Sequence, residues 1–493
     1  MEKLPPEVEH GNIEYKRQLL NINNDRKIHL ASQMKWRLSE GNGKTIYYLG
    51  INDDGSIYGL SKKELYLSIK TIVEIVKSLD FKIIKIDKKF LEDKKCFCII
   101  TIENKIDNIN FRILFLGNTQ CGKSTTINVL LNNLKDDGKG FARTSLFNHK
   151  HEIIKGKTSS ISIRNLGYKN NKLINIYCLS NNDIYKCSDK IVSLIDMPGD
   201  IKYYKTIFYN LLNLYPNVIF IIINPFKINY KLLKLYLNYC KIKDIYFIVI
   251  FTNQDKKNSN NKIINVINFF KNRKYILNEF IDNIAIDKYY YMNISNLTLY
   301  NINKLHILIN KISNIKINNN IDAINTNNDE IQIINKYNIN ELGILLSGIC
   351  LNGKIKKDNL YYLFSDNTWN KIKINSLQIN ENIIDSVNKN NLCGINFSIL
   401  NNIKINKPIL ITSDIKNYQF TNQLKINILY IDTKLNINNN NNILIFIRNN
   451  IFVSKILEYN NNKLLIKINK ILINDNDLII FKINKTYGLA TVI

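Results

Sequence analysis

The stretch FRILFLGNTQCGKSTTINVLLNNL, residues 111–134, decides the fold of the chain around it. FRILFLG is typical of a buried strand, and TTINVLLNNL has the spacing of a helix. Between them lies the motif GxxxxGK[ST], which at a strand-to-helix junction wraps nucleotide phosphates in main-chain N–H groups. The residues predicted to bind a nucleotide here are Gly117, Asn118, Thr119, Gln120, Cys121, Gly122, Lys123, Ser124 and Thr125.

Two side chains of this motif have a specific predicted chemistry. Lys123 is predicted to reach the β and γ phosphate oxygens, and Ser124 to give its hydroxyl oxygen to Mg²⁺. A DxxG motif ends the strand VSLID, where Asp196 is predicted to lie near Mg²⁺ and the Gly199 N–H to face the γ-phosphate. Because both motifs follow strands, we expect them to meet at the carboxyl edge of one parallel sheet.

A third motif, TNQD at residues 252–255, follows the strand DIYFIVIF in the place of a guanine-reading [NT]KxD sequence. Asp255 is predicted to accept two N–H bonds from the guanine edge, a contact that adenine cannot supply. Asn253 lacks the lysine stem that would cover the ring, so looser holding is expected. An ordinary turn rich in Asn and Asp is the alternative interpretation. The candidate base-contacting residues are Thr252, Asn253, Asp255, Ser295 and Asn296.

The length of 493 residues predicts several domains. Strand and helix patterns alternate after residue 110, which predicts a parallel sheet, and short β-branched runs after residue 330 predict two small barrels. The predicted fold is an α/β P-loop G domain with a small N-terminal α/β domain and two C-terminal β-barrels. Its expected bounds are residues 1–110 for the N-terminal domain, 111–313 for the G domain, 314–329 for a linker, and 330–404 and 405–493 for the barrels.

The first 110 residues mix helical and strand patterns. HLASQMKWRLSEG predicts a helix, and TIYYLGINDDGSIYGL predicts a hairpin that turns at residues 53–55. The KWR triplet at 35–37 has a composition suited to stacking on RNA, but packing of Trp36 into a core is the stronger alternative. Cys96 and Cys98 alternate like residues on one face of a strand, which favours a buried thiol pair over a metal site.

The formal net charge of the chain is +27 at pH 7. A field of that size favours a polyanion such as RNA as a partner, although lysine codons accumulated by an AT-rich coding bias would produce the same excess. The beginning of the chain has no apolar core of signal-peptide length, and no later run reaches about 18 uncharged apolar residues. We therefore expect a soluble cytoplasmic protein without membrane contact.

Six stretches of the chain are similar to one known group of proteins. They are GNIEYK, QMKWRLSEGNGK, YLGINDDGSIYGL, GKGFARTSLFNHKHEIIKGKTSSIS, DMPGDIKYYKT and ELGILLSGICLNGKI. The chain resembles the translational GTPases related to elongation factor Tu, and most closely the GTP-binding protein 1 and 2 group. The resemblance implies GTP or GDP with Mg²⁺ as ligands, and a monomer that contacts aminoacyl-tRNA or other RNA and the ribosome during elongation or surveillance of stalled translation.

The same resemblance implies that residues 143–162 form switch I. Within it Ser160, or less closely Thr158, takes the position of the Mg²⁺-binding threonine, and an ordinary solvated loop is the alternative. His149 and His151 lie two positions apart in this segment. Without a third ligand nearby, ordinary loop contacts are favoured over metal binding for them.

Three departures from the family pattern bear on hydrolysis. Asp200 stands where the family has a histidine that positions the attacking water, and a carboxylate there would repel the developing charge on the γ-phosphate. Gln120 replaces an aspartate that helps bind a monovalent cation, and Asn253 weakens the base clamp. We therefore predict a slow GTPase in which Lys123, Gly199 and Asp200 are the catalytic residues. The alternatives are a catalytically degraded GTP-binding protein that serves as an RNA- or ribosome-binding scaffold and, less favoured, a P-loop ATPase.

Overall fold

The computed structural model divides the chain into two compact units, Met1–Asn108 and Ile109–Ile493. Within the described residues no helix is both long and apolar enough to cross a membrane. The residues described are 4–20, 22–41, 44–79, 81–91, 94–104, 110–138, 161–175, 180–315, 328–339, 343–379, 382–399, 405–416, 418–432, 441–448, 450–460, 462–473, 477–484 and 486–493.

The N-terminal unit is a four-stranded sheet with two helices. Its elements are β1 (Ile13–Lys16), α1 (Asn24–Glu40), β2 (Lys44–Leu49), α2 (Lys62–Ser78), β3 (Phe81–Phe90) and β4 (Cys96–Asn104). The strand order is β1-β2-β4-β3, with β1 and β2 parallel and the other pairs antiparallel. Apolar side chains of both helices and of β2 and β4 form one buried core.

Local sequence signals explain where the two helices begin. The side chain of Asn23 caps α1 by accepting a hydrogen bond from the Arg26 N–H at 3.0 Å. Ser61 and Glu64 form a capping box at the start of α2. The helix predicted over HLASQMKWRLSEG is confirmed, since it lies within α1 and its closing Gly41.

Two further predictions for this unit have different outcomes. The buried thiol pair is confirmed, because Cys96 and Cys98 are both buried on β4. The hairpin prediction is wrong beyond its turn: Ile51 and Ile57 form only a single antiparallel bridge. The chain then leaves β2, because Leu60 forms its own bridge with Cys96.

The second unit begins with an eight-stranded sheet. Its strands are β5 (Asn110–Leu116), β6 (Ser162–Lys169), β7 (Lys172–Leu173), β8 (Lys190–Asp196), β9 (Val218–Ile223), β10 (Tyr246–Phe251), β11 (Leu277–Glu279) and β12 (Tyr289–Asn293). Its described helices are α3 (Lys123–Asn132), α4 (Asn181–Cys187), α5 (Tyr204–Asn213), α6 (Tyr230–Ile242), α7 (Ser259–Lys271) and α8 (Ile302–Ile312).

The strand order of this sheet is β11-β12-β10-β9-β5-β8-β6-β7. The predicted parallel arrangement holds from β11 to β8, and β6 is an antiparallel addition at the edge that the sequence did not indicate. Strands β8, β9 and β10 are buried along their whole length because helices cover both faces. Helices α5, α6 and α7 pack on one face, and α3 and α8 pack on the other.

Two closed six-stranded barrels follow the sheet, as predicted. The strands are β13 (Glu330–Ile339), β14 (Gly343–Asn352), β15 (Lys354–Lys356), β16 (Leu360–Ser365), β17 (Thr368–Ile379), β18 (Asn382–Ile384), β19 (Ser386–Asn388), β20 (Leu392–Ile399), β21 (Pro408–Thr412), β22 (Gln419–Ile431), β23 (Asn442–Ile447), β24 (Asn450–Asn460), β25 (Lys463–Ile473), β26 (Leu478–Ile483) and β27 (Thr486–Val492). Strands β16, β21, β13, β14, β20 and β17 close the first barrel, and β22 to β27 close the second.

The boundary between the barrels lies later than the predicted bound at residues 404 and 405. Strand β21 pairs antiparallel with β13 and β16, so Pro408–Thr412 belongs to the first barrel. Helix α5 contacts both barrels. The Phe208 ring lies 5.4 Å from the Phe446 ring of the second barrel, and the Tyr209 hydroxyl donates to the Ile334 carbonyl of the first at 2.7 Å. The segment after DxxG is therefore packed against both C-terminal modules.

Candidate nucleotide site

The loop between β5 and α3 forms a tight cradle that depends on glycine. A Cβ at Gly117 would lie 2.3 Å from the Ile222 carbonyl oxygen, and Gly122 has φ of 98° at the N-cap of α3. Side chains at these positions would collide with β9 or strain the turn. The sequence thus folds the loop back over the start of α3, with the first N–H groups of the helix at its centre.

Lys123 is held over this cradle by the loop itself. Its Nζ donates to the carbonyl oxygens of Gly117 and Asn118, each at 3.0 Å, and the residue is 6% exposed. Both acceptors are neutral carbonyls, so these bonds leave the charge of the ammonium to act on an anion. The Cys121 thiol lies 3.8 Å from the same Nζ, and burial raises the pKa of that thiol, which keeps it neutral beside the lysine.

Ser124 and Asp196 lie side by side at the floor of the site. The Ser124 hydroxyl donates to the Asp196 carboxylate at 2.5 Å, and both residues are buried. Strand pairing explains the contact, since Asp196 ends β8 beside Phe115 of β5. A hydroxyl and a carboxylate are the oxygen ligands that Mg²⁺ takes when substrate phosphates complete its coordination. The donor set therefore fits Mg²⁺, in keeping with no cluster of three His, Cys, Asp or Glu among the described residues.

The DxxG glycine lies directly against the phosphate loop. A Cβ at Gly199 would lie 2.5 Å from the Lys123 Nζ and 2.7 Å from the Asn118 carbonyl oxygen. A larger residue here would push the lysine out of the cradle. The structure thus brings together Lys123, Asp196 and Gly199, the residues that the sequence placed around the γ-phosphate.

Asp200 has a local structural contact that the sequence did not indicate. It is the N-cap of a short 3₁₀ helix, Ile201–Tyr203, and its carboxylate accepts a hydrogen bond from the Lys202 N–H at 3.2 Å. The Lys202 ammonium lies 3.6 Å from the same carboxylate, whose side chain is 22% exposed. The carboxylate is therefore engaged in the turn that leads into α5.

The TNQD segment is tied to the phosphate loop through Thr252. Its hydroxyl donates to the Cys121 carbonyl at 2.8 Å, and the residue is 2% exposed. Asn253 has φ of 59°, a left-handed conformation in which asparagine is several-fold enriched over most residues. The substitution that removes the lysine stem therefore relieves backbone strain at this position.

The Ser295 loop completes the other side of the pocket. The Ser295 hydroxyl donates to the Asp255 carboxylate at 2.6 Å, and the Asn296 side chain donates to the Thr126 hydroxyl of α3 at 3.0 Å. Strand β12 delivers this loop beside β10, so the two candidate base-reading segments meet at one sheet edge. Sequence reasoning missed Thr126, which lies beyond the motif consensus and carries no pattern of its own.

Lys227 is a second residue that sequence reasoning missed. Its ammonium donates to the side-chain oxygen of Gln120 at 3.0 Å, so a lysine from the loop after β9 reaches the rim of the cradle. The four Asn and Lys residues of that loop gave no signal, because both residue types are abundant throughout the chain.

Several sequence-predicted residues lie away from this pocket. Thr158, Ser160, His149 and His151 fall in residues 139–160, outside the described part of the chain. Arg37 of the KWR triplet is buried in the N-terminal unit and pairs with Glu7 and Glu14, each at 2.6 Å, so the RNA-stacking interpretation is wrong for this arginine. The list of nucleotide-site residues that the structure gathers around one sheet edge is Gly117, Asn118, Thr119, Gln120, Cys121, Gly122, Lys123, Ser124, Thr125, Asp196, Gly199, Thr252, Asn253, Asp255, Ser295 and Asn296.

A glycine cradle with a buried lysine and a hydroxyl–carboxylate pair, on a sheet followed by two barrels, defines a P-loop protein with the fold of elongation factor Tu-like GTPases. No family model matches the chain. It is 35% identical over 230 residues to GTP-binding protein 2 of Mus musculus and of Homo sapiens, an alignment that covers 45% of this chain and 38% of each relative. It is 34% identical over 185 residues to GTP-binding protein 1 of Xenopus laevis, covering 36% of this chain and 28% of that protein.

The chain thus spans about two fifths or less of the length of these curated relatives. Solved structures agree on the fold. Bacterial selenocysteine-specific elongation factor EF-Sec superposes with a TM-score of 0.56 and 16% identity, covering 78% of this chain and 58% of that one. The GTPase-like domain of S. cerevisiae Ski7 bound to GTP superposes with a TM-score of 0.57 and 14% identity, covering 78% and 97%. The predicted resemblance and fold class are confirmed.

Proposed function

We propose that this chain binds GTP and GDP with Mg²⁺ in the cradle around Lys123. The observation that carries the proposal is the convergence of the Lys123 ammonium, the Ser124–Asp196 pair and Gly199 on one glycine-lined loop. Ser124 and Asp196 would hold Mg²⁺, with Ser160 as a further ligand by resemblance. When bound, the ion neutralises phosphate charge, and Lys123 adds its own positive charge to the β and γ oxygens.

Guanine is the proposed base. Asp255 is fixed by the Ser295 hydroxyl, and its carboxylate still has acceptor capacity for two N–H groups. Guanine offers two such donors on one edge, and adenine does not. Asn253 gives the base less cover than a lysine would, so we propose a guanine preference with weaker overall holding. The same geometry disfavours the P-loop ATPase alternative.

The proposed reaction is slow attack of water on the γ-phosphate. Lys123 stabilises charge on the transferred group, the Gly199 N–H contacts the γ-phosphate, and Asp200 occupies the position next to the attacking water. A carboxylate that already caps Ile201–Tyr203 accepts hydrogen bonds and repels an anion. Intrinsic turnover is therefore expected to be feeble.

The proposed partners are the ribosome and aminoacyl-tRNA or another RNA, with the chain acting as a cytoplasmic monomer. Sequence similarity to GTP-binding proteins 1 and 2 and the fold shared with elongation factors support this assignment. The contacts of α5 with both barrels support a nucleotide-dependent switch, since a shift of the segment after Gly199 would move surfaces that the barrels pack on.

Calorimetry with GTP, GDP and ATP in the presence and absence of Mg²⁺ tests the binding proposal. We expect GTP and GDP to bind at least tenfold more tightly than ATP, and GTP to depend on Mg²⁺ more strongly than GDP. Equal affinity for ATP would overturn it. Turnover measured with and without ribosomes then separates the two functions: ribosome-stimulated GTP loss supports the translational GTPase, and tight GTP binding without turnover supports the scaffold alternative, which the capping contact of Asp200 favours.

A further inference from the structure

The positive charge of the chain is unevenly distributed. Residues 1–108 contain 19 Lys and Arg against 16 Asp and Glu, whereas residues 109–493 contain 49 against 25. The N-terminal unit has the larger share of basic residues and is nonetheless almost neutral. A coding bias toward lysine acts on both units, so the excess in the second unit comes from a scarcity of acidic residues. This scarcity is a feature that lysine accumulation does not explain.

The scarcity is most pronounced in residues 227–274, which contain 11 Lys and Arg but only Asp244 and Asp255 as acids. This segment spans α6 and α7, two helices that pack on the same face of the sheet. Its charge is therefore displayed on one side of the G domain. The segment lies entirely within the described part of the chain.

The lysines of α6 follow helical spacing on its outer face. Lys231, Lys234 and Lys241 are three and seven positions apart, so they share one stripe, while the opposite stripe is buried in the core. Lys231 pairs with Asp432 of the second barrel at 3.6 Å, which leaves Lys234 and Lys241 as the solvent-side charges of the stripe. On the neighbouring helix, Lys262, Lys271 and Lys274 are exposed.

An aromatic ladder joins the two helices at the same face. The Tyr230 ring of α6 lies 4.7 Å from the Phe269 ring of α7, and the Arg273 guanidinium lies 3.6 Å from the Phe269 centroid. Tyr230 is 42% exposed. The ladder thus holds one tyrosine ring at the surface, fixed by packing beneath it and surrounded by lysines.

We propose that the outer face of α6 and α7 binds single-stranded RNA. Lys234, Lys241, Lys262, Lys271 and Lys274 contact backbone phosphates, and Tyr230 stacks on a base. Phosphates offer the regular negative charge that the lysines match, and a base offers the flat partner that a fixed tyrosine needs. An acidic protein would match the charge but would leave the ring without a stacking partner. The proposal goes beyond the nucleotide site, because none of its contacts requires GTP.

The test uses the full chain and a fluorescein-labelled 20-nucleotide polyuridine, with anisotropy measured at several salt concentrations and without nucleotide. The variant Lys234→Glu/Lys241→Glu/Lys271→Glu is compared with Lys62→Glu/Lys63→Glu/Lys70→Glu on α2, where three exposed lysines undergo the same change of charge. We expect the first variant to lose at least tenfold in affinity and its slope of log affinity against log salt to fall by about two. The control is expected to stay within twofold.

Three further measurements make the outcome decisive. Circular dichroism melting checks that the Glu variant folds, and Lys→Gln at the same three positions replaces it if it does not. Tyr230→Leu, which keeps an apolar contact with Phe269, is expected to weaken polyuridine binding about fivefold with an unchanged salt slope. Equal losses in the α2 control, no loss in the α6 and α7 variant, or equal competition by polyglutamate of matched charge would each overturn the proposal. None of these results depends on GTP binding, so the two proposals fail separately.

Discussion

The Thr252 hydroxyl donates a hydrogen bond to the Cys121 carbonyl at 2.8 Å, joining two loops that lie 131 positions apart in the sequence. Thr252 follows β10, and Cys121 lies inside the phosphate loop between β5 and α3. The bond is buried, so water does not replace it easily. It makes the position of the base-reading segment depend on the shape of the cradle.

The substitution Thr252→Val tests this link. Valine keeps the shape of threonine but leaves the buried Cys121 carbonyl without its donor, a loss of ~1 kcal/mol or somewhat more. Because the cradle holds the phosphates of both nucleotides, we expect GTP and GDP affinities to fall together, by about five- to tenfold. Isothermal calorimetry measures both. Thr368→Val, which removes a hydroxyl from a hairpin of the first barrel, serves as control. A loss confined to GTP would contradict the proposed link.

The substitution Asp255→Asn tests base recognition. An asparagine side chain has one carbonyl acceptor and one amide donor, whereas the carboxylate of Asp255 accepts twice. Xanthine has a carbonyl where guanine has an amino group, so it matches the amide. We expect affinity for GTP to fall at least tenfold and affinity for xanthosine triphosphate to rise by a similar factor, measured by competition against a fluorescent GDP. Unchanged GTP affinity would show that Asp255 does not read the base.

Asp200 is tested by two substitutions with different chemistry. Asp200→His supplies a group that can position water, and we expect single-turnover GTP hydrolysis to accelerate tenfold or more. Asp200→Asn keeps the capping ability of the residue but removes its charge, so a smaller acceleration is expected from loss of repulsion alone. Quenched-flow measurement of phosphate release compares the three proteins. If neither change raises the rate, the account of slow hydrolysis given for Asp200 is wrong.

Sequence alone predicted the parts of the fold that local pattern controls. The phosphate loop lay between the predicted strand and helix because glycines, Lys123 and the adjoining apolar run act within a few residues of each other. Turns were also local: Asp366 and Asn367 both adopt positive φ between β16 and β17, as their residue types favour. Such features need no knowledge of distant contacts.

Features that depend on long-range contact were not accessible from the sequence. The link from Thr252 to Cys121, the reach of Lys227 to Gln120, and the pairing of β21 with the first barrel join residues between 77 and 131 positions apart. Asparagine-rich turns look alike, so the barrel boundary was placed before Pro408–Thr412. The capping role of Asp200 was missed for another reason, because a family-based comparison directed attention to catalysis.

His306 on α8 provides a pH test of the G domain. Neither ring nitrogen has a hydrogen-bond partner among the described residues, and burial lowers the pKa of the imidazole to about 4. The unfolded chain, with an ordinary pKa near 6.5, takes up the proton first. The stability that neutral His306 contributes is therefore present above pH 6.5 and is lost as the pH falls through 4, to a limit of ~3 kcal/mol.

The substitution His306→Leu removes that proton uptake and keeps an apolar side chain in the core. We expect the loss of unfolding free energy between pH 7 and pH 4.5 to be smaller in this variant than in the wild type by ~2 kcal/mol. The measurement is urea unfolding followed by Trp369 fluorescence in a Trp36→Phe background, which confines the signal to the second unit because the chain has two tryptophans. His29→Gln alters an exposed histidine and is expected to leave the pH dependence unchanged. Parallel curves for wild type and His306→Leu would mean that the imidazole is hydrated or charged in the native protein, since a neutral buried ring cannot titrate equally in both states.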